Sequence, residues 1–281
     1  MTMQTLPPIH EYLRSHKKFP HVWCAGCGAG NVLGSIIRAV GHLGLDRDEV
    51  AMVSGIGCSG RMPVYADFNT LHTTHGRALA FATGIKLAKP NMQVLVVMGD
   101  GDALAIGGNH FIHAARRNVD LTAIVVNNGI YGLTGGQVSP TTPMGAYATT
   151  ATYGQIERPF DIAKIADAAG ASFVARGTVY HILELEKLIE QAIVKRGFSV
   201  VEVISQCHTA YGRLNMMPTA VEMLKWQRDN TISVAAVAAG KSAEGKITRG
   251  VLVDRELPEF TDVYFNQVVA RAQELTGRAE R

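Results

Sequence analysis

Two buried strands joined by a helix-length segment constrain the fold of this chain more than any other feature of its sequence. The first, at residues 94–98, is an unbroken apolar run that leads into Gly-Asp-Gly-Asp. The second, at 121–126, leads into Asn-Asn-Gly. Apolar runs without polar alternation are typical of parallel strands, because crossover helices cover both faces of a parallel sheet. The pattern therefore predicts a strand–helix–strand unit at the centre of an α/β sheet.

The rest of the chain extends this unit into a mainly parallel sheet covered by helices on both faces. Helices are expected at residues 32–42, 78–88, 103–118, 160–169, 181–195, 219–228 and 263–275, and further strands at 50–53, 172–175, 198–205 and 249–253. Residues 138–153, rich in Thr, Ser, Ala and Gly, predict a long ordered loop that lines a site or an interface. We interpret residues 1–215 as one α/β domain with an N-terminal arm at 1–20. Residues 216–281 are interpreted as a short C-terminal extension that contacts another subunit.

Composition limits the classes of function. The 27 Lys+Arg nearly balance the 24 Asp+Glu, and no basic block is interleaved with aromatic residues, which disfavours nucleic acid as a partner. No apolar run reaches the ~18–20 residues that a membrane-spanning helix needs. Residues 1–10 lack the charged-then-apolar pattern of a signal peptide. We therefore expect a cytoplasmic protein that binds neither nucleic acid nor membrane.

The acidic turn after the first strand and the amide pair after the second can together hold a metal-bound diphosphate. Mg²⁺ prefers hard oxygen ligands and is usually bound by one or two carboxylates together with phosphate oxygens and water. Asp100 supplies a carboxylate, Asn128 an amide oxygen and Ile130 a backbone carbonyl. Gly99 and Gly101 let a diphosphate approach the chain closely, and the following helix offers its N-terminus to anionic oxygens.

This spacing resembles the thiamine diphosphate motif, in which Gly-Asp-Gly is followed by a helix, a strand and Asn-Asn. The resemblance implies Asp100, Asn128 and the carbonyl of Ile130 as Mg²⁺ ligands. Without the resemblance, the same residues are also compatible with two ordinary strand-end turns that hold no ligand.

The four cysteines all lie beside glycines or in loops after predicted strands. Cys24 and Cys27 form a Cys-x-x-Cys bend, whereas Cys58 and Cys207 are single. Four thiolates suit either Zn²⁺ or a [4Fe–4S] cluster, although a structural zinc site more often uses two close pairs. Four unrelated buried thiols are the alternative. Because Cys58 follows a strand on the same side of the sheet as the cofactor motif, a metal centre there would lie beside thiamine diphosphate.

Taken together, these motifs resemble those of the β subunits of the 2-oxoacid:ferredoxin oxidoreductases. The matching stretches are Trp-Cys-Ala-Gly-Cys-Gly at 23–28, Ile-Gly-Cys-Ser at 56–59, His-Gly-Arg at 75–77, Gly-Asp-Gly-Asp at 99–102, Asn-Asn-Gly-Ile-Tyr-Gly-Leu-Thr-Gly-Gly-Gln at 127–137, Gln-Cys at 206–207 and Tyr-Gly-Arg at 211–213. The resemblance covers residues 23–215. It is finer for the 2-oxoglutarate enzymes, chiefly through residues 134–137, the loop after them and the segment around Cys207.

The resemblance implies both the chemistry and the residues that serve it. A 2-oxo acid, 2-oxoglutarate on the finer likeness, is oxidatively decarboxylated with coenzyme A to acyl-CoA and CO₂, and electrons pass through a [4Fe–4S] cluster to ferredoxin. Reductive carboxylation is the reverse reaction, and pyruvate or a branched-chain 2-oxo acid is the alternative substrate. The implied cluster ligands are Cys24, Cys27, Cys58 and Cys207. The residues implied at thiamine diphosphate are Ile56, Gly57, Cys58, Ser59, His75, Gly99, Asp100, Gly101, Asp102, Asn128, Ile130, Gly132 and Leu133.

One half of such an active site is not expected from this chain. Thiamine enzymes of this kind use a glutamate from a pyrimidine-binding domain of similar fold, and the chain contains no second α/β repeat. The resemblance therefore implies the diphosphate-binding half of the thiamine diphosphate-binding fold, with a partner α subunit in an αβ or (αβ)₂ assembly. Two alternatives of other classes stay open: a zinc-containing subunit of a non-redox thiamine decarboxylase, and an electron-transfer or scaffold subunit.

Overall fold

The strands of the computed structural model, which describes residues 9–16 and 20–277, form one eight-stranded sheet in the order β2-β1-β3-β4-β6-β5-β8-β7. The strands are β1 (Val50–Ser54), β2 (Asn69–His72), β3 (Gln93–Gly99), β4 (Thr122–Asn127), β5 (Phe173–Thr178), β6 (Ser199–Ile204), β7 (Thr231–Ser233) and β8 (Ile247–Asp254). Only β5 and β8 pair antiparallel; the other neighbours in this sheet are parallel. The prediction of a mainly parallel α/β sheet is confirmed.

Helices cover both faces of this sheet. They are α1 (Ala29–His42), α2 (Ala78–Ala88), α3 (Asp100–Leu104), α4 (Gly108–Arg117), α5 (Ile162–Ala168), α6 (Ile182–Val194), α7 (Ala220–Asp229), α8 (Val234–Ala238), α9 (Phe260–Val263) and α10 (Ala270–Thr276). Helices α1 and α6 pack on one face, and α2, α4 and α5 pack on the other. Among the residues that the structure describes, none of these helices has both the length and the apolar character needed to cross a membrane.

Strand β3 shows why the central apolar run is unbroken. Leu95 and Val97 belong to the hydrophobic core under α1 and α6, whereas Val94, Val96 and Met98 belong to the core under α2, α4 and α5. Successive side chains of a strand point to opposite faces, so a strand buried on both faces is apolar at every position. Strand β3 ends at Gly99, at the carboxyl end of the sheet, and Asp100 follows directly.

The single helix expected at 103–118 is wrong, because the structure has two. Helix α3 begins at Asp100 itself, with Gly99 as its N-cap, and α4 begins at Gly108. Between them the chain packs so tightly that a Cβ on Gly107 would lie 2.2 Å from the backbone oxygen of Asp102. The acidic turn is therefore the first turn of a short helix, not a loop ahead of a long one.

The N-terminal and C-terminal segments that the structure describes both contact the rest of the fold. Residues 216–281, the predicted extension, add β7 and β8 to the edge formed by β5. Of the predicted arm at 1–20, residues 1–8 and 17–19 lie outside the described residues, and Leu13 forms a bridge with Ala66. The domain division and the role of the extension in subunit contact stay predictions.

Candidate active site

One cavity of ≈ 190 Å³ lies at the carboxyl ends of β1, β3 and β4. Every residue predicted to contact the cofactor lines it: Ile56, Gly57, Cys58, Ser59, His75, Gly99, Asp100, Gly101, Asp102, Asn128, Ile130, Gly132 and Leu133. Parallel strands direct their carboxyl ends to one edge, and open α/β sheets bind ligands there. The fold therefore gathers into one place residues that are spread over 78 positions, from 56 to 133.

The carboxylate of Asp100 is buried at the N-terminus of α3. Its Oδ1 accepts a hydrogen bond from the amide of Gly101 at 3.0 Å. Its Oδ2 accepts from the amide of Gly129 at 3.1 Å, the hydroxyl of Ser139 at 2.8 Å and the hydroxyl of Thr141 at 2.5 Å. Burial raises the pKa of Asp100, and the hydrogen bonds from Thr141 and Ser139 oppose that rise.

Asn128 and Ile130 line the same cavity as Asp100. The amide oxygen of Asn128 accepts a hydrogen bond from the backbone N–H of Ile130 at 3.2 Å, across a turn in which Gly129 has φ +69°. A buried carboxylate whose charge is opposed only by neutral donors is suited to a cation. This oxygen donor set fits Mg²⁺.

Two glycines shape the cavity: Gly101 lets the ring of Tyr131 pack against the backbone, and Gly57 leaves open space beside it. A Cβ on Gly101 would lie 2.2 Å from the ring of Tyr131, and Gly57 has φ +125° with open space where a Cβ would lie. Burial raises the pKa of Tyr131, and the carboxylates of Asp100 and Asp102 add to that rise. The residues present thus fit a diphosphate held against the chain by a metal ion.

Asp102 is directed at the protein more than at the cavity. Its Oδ1 accepts a hydrogen bond from the amide of Gly76 at 2.6 Å and lies 2.8 Å from Nδ1 of His75. The ring of Tyr131 packs edge-on against the His75 ring, with centroids 6.1 Å apart. Burial raises the pKa of Asp102, and the Gly76 amide and His75 oppose that rise. Asp102 therefore holds His75 in place at the cavity wall.

The four cysteines lie near one another, and two of them, Cys27 and Cys58, line the cavity. A Cβ on Gly132 would lie 3.2 Å from the sulfur of Cys207 and 3.7 Å from that of Cys58. The hydroxyl of Thr209 lies 3.7 Å from the sulfur of Cys24 and 3.8 Å from that of Cys207.

Burial and the neighbouring thiols both raise the pKa of the Cys58 thiol. Burial raises the pKa of Cys58 to about 12, and Cys27, Cys207 and Cys24 add to that rise. Within residues 9–16 and 20–277, no group of three or more His, Cys, Asp or Glu side chains is arranged to hold a single metal ion.

Residues 55–60 also contain the spacing Gly-x-Gly-x-x-Gly after β1. In dinucleotide-binding proteins this loop leads into a helix whose N-terminus faces the pyrophosphate. Here it leads into a short 3₁₀ helix, Ser59–Val64, that contains Pro63, and Cys58 lies within the loop. The loop is therefore built around the cysteine and not as a dinucleotide site.

Several residues of the site are not among those predicted from the sequence. Tyr131, Thr134 and Ser205 line the cavity, and Ser139 and Thr141 bind Asp100. Tyr131 and Thr134 lie inside the recognised stretch at 127–137, so their neighbours in sequence are a usable signal. Ser139 and Thr141 are ordinary polar residues of the long loop, and nothing in their pattern marks them.

The class of protein follows from the fold and this site together. Residues 55–203 match the family model described as the thiamine pyrophosphate enzyme, C-terminal TPP binding domain. The chain is 49% identical over 274 residues to 2-oxoglutarate synthase subunit KorB of Methanothermobacter thermautotrophicus, covering 97% of this chain and 94% of the relative. It is 64% identical over 199 residues to 2-oxoglutarate synthase subunit KorB of Archaeoglobus fulgidus, covering 71% and 74%.

A solved structure agrees with these relatives over nearly the whole chain. The 2-oxoglutarate:ferredoxin oxidoreductase from Magnetococcus marinus, with 2-oxoglutarate, coenzyme A and succinyl-CoA bound, is similar with a TM-score of 0.82 and 35% identity, covering 96% of this chain and 90% of that one. The chain thus carries a thiamine diphosphate-binding domain. It belongs to the β subunits of the 2-oxoacid:ferredoxin oxidoreductases, which confirms the family expected from the motifs.

Proposed function

We propose that this β subunit holds thiamine diphosphate, Mg²⁺ and a [4Fe–4S] cluster and serves the CoA-dependent oxidative decarboxylation of 2-oxoglutarate, with ferredoxin as electron acceptor. The observation that carries the proposal is the cavity that gathers the Gly-Asp-Gly turn, Asn128 and two of the four cysteines. Its relatives and the similar solved structure are named for 2-oxoglutarate, which favours that substrate over pyruvate or a branched-chain 2-oxo acid.

The oxygen atoms of three residues would hold the diphosphate through its metal ion. They are the carboxylate of Asp100, the amide oxygen of Asn128 and the backbone carbonyl of Ile130, and all three residues line the cavity. When bound, thiamine diphosphate would supply a nucleophilic carbon for the 2-oxo acid and a positively charged ring that delocalises the electron pair left as CO₂ departs. His75, held by Asp102, presents its ring to the same cavity and can donate a hydrogen bond to an anionic oxygen.

The cysteines would hold the cluster beside this cavity. Cys24, Cys27, Cys58 and Cys207 are the proposed ligands, and [4Fe–4S] clusters are held by four cysteine thiolates. Cys27 and Cys58 also line the cofactor cavity, so the cluster would lie next to the cofactor. A cluster there would supply a one-electron acceptor next to the site of decarboxylation.

The partner subunit completes the site. No glutamate is among the described residues that line the cavity, which agrees with an activating glutamate on an α subunit. We expect the α subunit, coenzyme A, the 2-oxo acid and ferredoxin to meet this face of the sheet in an αβ or (αβ)₂ assembly. A cytoplasmic location stays a prediction.

Anaerobic co-purification tests the proposal. The chain is expressed with its partner subunit, analysed for iron, sulfide, zinc and thiamine diphosphate, and assayed for CoA-dependent ferredoxin reduction. We expect a brown complex with a [4Fe–4S] cluster and faster turnover with 2-oxoglutarate than with pyruvate. A colourless complex with stoichiometric zinc would instead support a non-redox decarboxylase, and iron without bound thiamine diphosphate would support an electron-transfer or scaffold subunit.

A further inference from the structure

A buried arginine lies behind the candidate magnesium site, outside the cofactor cavity. Arg176 of β5 donates from Nε to Oε2 of Glu202 at 2.7 Å and from Nη2 to Oδ1 of Asp161 at 2.5 Å. Glu202 lies directly opposite Arg176 on β6, and its side chain is 3% exposed. We call Arg176, Glu202 and Asp161 the charged hub. It connects to the magnesium site through two separate arms.

The first arm runs through the end of β4. Oε1 of Glu202 accepts a hydrogen bond from Nδ2 of Asn127 at 2.8 Å. Oδ1 of Asn127 accepts in turn from the amide of Gly129 at 3.3 Å. That amide also donates to Oδ2 of Asp100 at 3.1 Å. The charged hub therefore fixes the turn that presents Asn128 and one donor to Asp100.

The second arm runs through the long loop. Asp161 is the N-cap of α5 and lies beyond the long loop at 138–153. The preceding amide, that of Phe160, donates to the carbonyl of Pro140 in that loop at 2.8 Å. Pro140 lies between Ser139 and Thr141, whose hydroxyls donate to Oδ2 of Asp100 at 2.8 Å and 2.5 Å. Both arms therefore end on the same oxygen atom.

Packing alone does not hold these groups. A second cavity of ≈ 570 Å³ lies behind the site and is lined by Asn127, Thr141, Asp161, Arg176 and Glu202. Side chains that border empty space are not fixed by close contacts, so directed hydrogen bonds and charge must fix them. A buried arginine between two carboxylates does this with donors in a rigid planar fork.

We propose that the charged hub is a positioning device, which sets the direction of the Asp100 carboxylate and of the Asn128 turn toward Mg²⁺. The inference rests on the proposed function, since it assigns a role to residues behind the same metal site. Mg²⁺ demands near-octahedral geometry, so a small rotation of a ligand weakens its binding. The hub touches neither metal nor substrate and acts only through Asn127, Gly129 and the long loop.

Three substitutions separate the arms in the complex purified with its partner subunit. Asn127→Ala breaks the first arm, and Asp161→Asn removes the charge that joins Arg176 to the second while keeping a good N-cap for α5. Arg176→Lys keeps the charge but loses the two-sided fork. The matched control is Lys86→Met, which removes another buried ion pair: Nζ of Lys86 lies 2.6 Å from Asp120, just before the start of β4 and at its far end from Asn127.

The metal affinity is measured with Mn²⁺ by electron paramagnetic resonance in the presence of thiamine diphosphate. This measurement does not depend on turnover. We expect Asn127→Ala, Asp161→Asn and Arg176→Lys each to bind Mn²⁺ about tenfold more weakly than wild type. This is the size typical of losing a group that hydrogen-bonds to a metal ligand. The Mg²⁺ concentration for half-maximal activity should rise in parallel, with kcat at saturating Mg²⁺ close to wild type. Lys86→Met should lower the Tm but leave the Mn²⁺ affinity unchanged.

The opposite pattern overturns the inference. If Asn127→Ala, Asp161→Asn and Arg176→Lys all lower the Tm as Lys86→Met does but bind Mn²⁺ like wild type, the charged hub is only a structural ion pair. The proposed function then stands. If the wild-type complex itself binds no Mn²⁺ with thiamine diphosphate, the proposed function and the inference fail together.

Discussion

At the scale of single residues, the candidate site places two buried carboxylates where their charge opposes folding of the cofactor-free chain. Burial raises the pKa of Asp100 and of Asp102 above the ordinary value of 3.8. As the pH rises above that value, the folded chain keeps protons that the unfolded chain has released. A bound cation would remove this penalty, so we expect metal binding to stabilise the folded chain.

The free energy of unfolding of the cofactor-free chain should therefore fall as the pH rises from the ordinary carboxyl pKa through the raised ones. Urea unfolding over a pH series measures this slope. Asp100→Asn should reduce the slope, and the remainder should come from Asp102. The prediction fails if stability rises with pH in that window, or if Asp100→Asn has the slope of wild type.

The cysteines of the cofactor-free chain should differ in their reactivity toward alkylating reagents. Burial raises the pKa of Cys58 to about 12, whereas Cys24 is exposed. Because the thiolate is the reactive form, iodoacetamide at pH near 8 should modify Cys24 much faster than Cys58. Mass spectrometry of timed digests gives both rates, and Cys24→Ser serves as the control that leaves only the slow sites. Equal rates at the two cysteines would contradict the geometry.

At the scale of elements, the break between α3 and α4 decides where the acidic turn lies. Helix α3 is only five residues long, and the chain turns at Gly107 against the backbone of Asp102. A continuous helix would carry Asp102 and its neighbours along one axis and could not return the chain against Gly76. The break therefore serves the contact between Asp102, Gly76 and His75.

Gly107→Ala should test this break. The new Cβ would lie 2.2 Å from a backbone oxygen, so we expect a loss of about 1–3 kcal/mol in the free energy of unfolding, as for other overpacked sites. Gly108→Ala is the matched control, because nothing lies within 4 Å of its Cβ position in the first turn of α4. It should be neutral or stabilising by up to about 1 kcal/mol. Equal effects of the two substitutions in urea unfolding would refute the explanation.

At the scale of the whole molecule, the candidate site lies at the carboxyl ends of strands, whereas the C-terminal extension pairs with a lateral edge of the sheet. The carboxyl ends of β1, β3 and β4 form the cavity, while β8 and β7 extend the sheet beyond β5. Arg196 links this extension to the core through ion pairs with Asp120 at 2.6 Å and Asp262 at 2.6 Å. As a β subunit of an oxidoreductase complex, the chain works with a partner subunit.

The isolated chain, loaded with cluster, Mg²⁺ and thiamine diphosphate, should therefore show no steady turnover of 2-oxoglutarate. The reason is that the activating glutamate is expected on the partner subunit. Ferredoxin reduction is measured for the isolated chain and, as control, for the complex with its α subunit at the same concentration. Steady turnover by the chain alone would disprove the division of the active site.

The sequence by itself determined the α/β class, the family, the helix at 78–88 and the positions of the acidic turn, the Asn pair and the cysteines. These features are local, since a buried strand, a helix and a glycine turn each leave a periodic or compositional pattern over a few consecutive residues. It did not reveal strand β2, whose residues Asn69–His72 are mostly exposed and lack an apolar pattern, or the two-helix form of residues 100–117.

Only the tertiary structure decided which side chains meet. Ser139 and Thr141 reach Asp100 across 39 and 41 positions, and Arg176 pairs with Glu202 across 26. Asp102 directly follows the Gly-Asp-Gly turn in sequence, yet its carboxylate is engaged by Gly76 and His75. Such contacts depend on how strands align and how a loop folds back, and neither leaves a pattern along the chain.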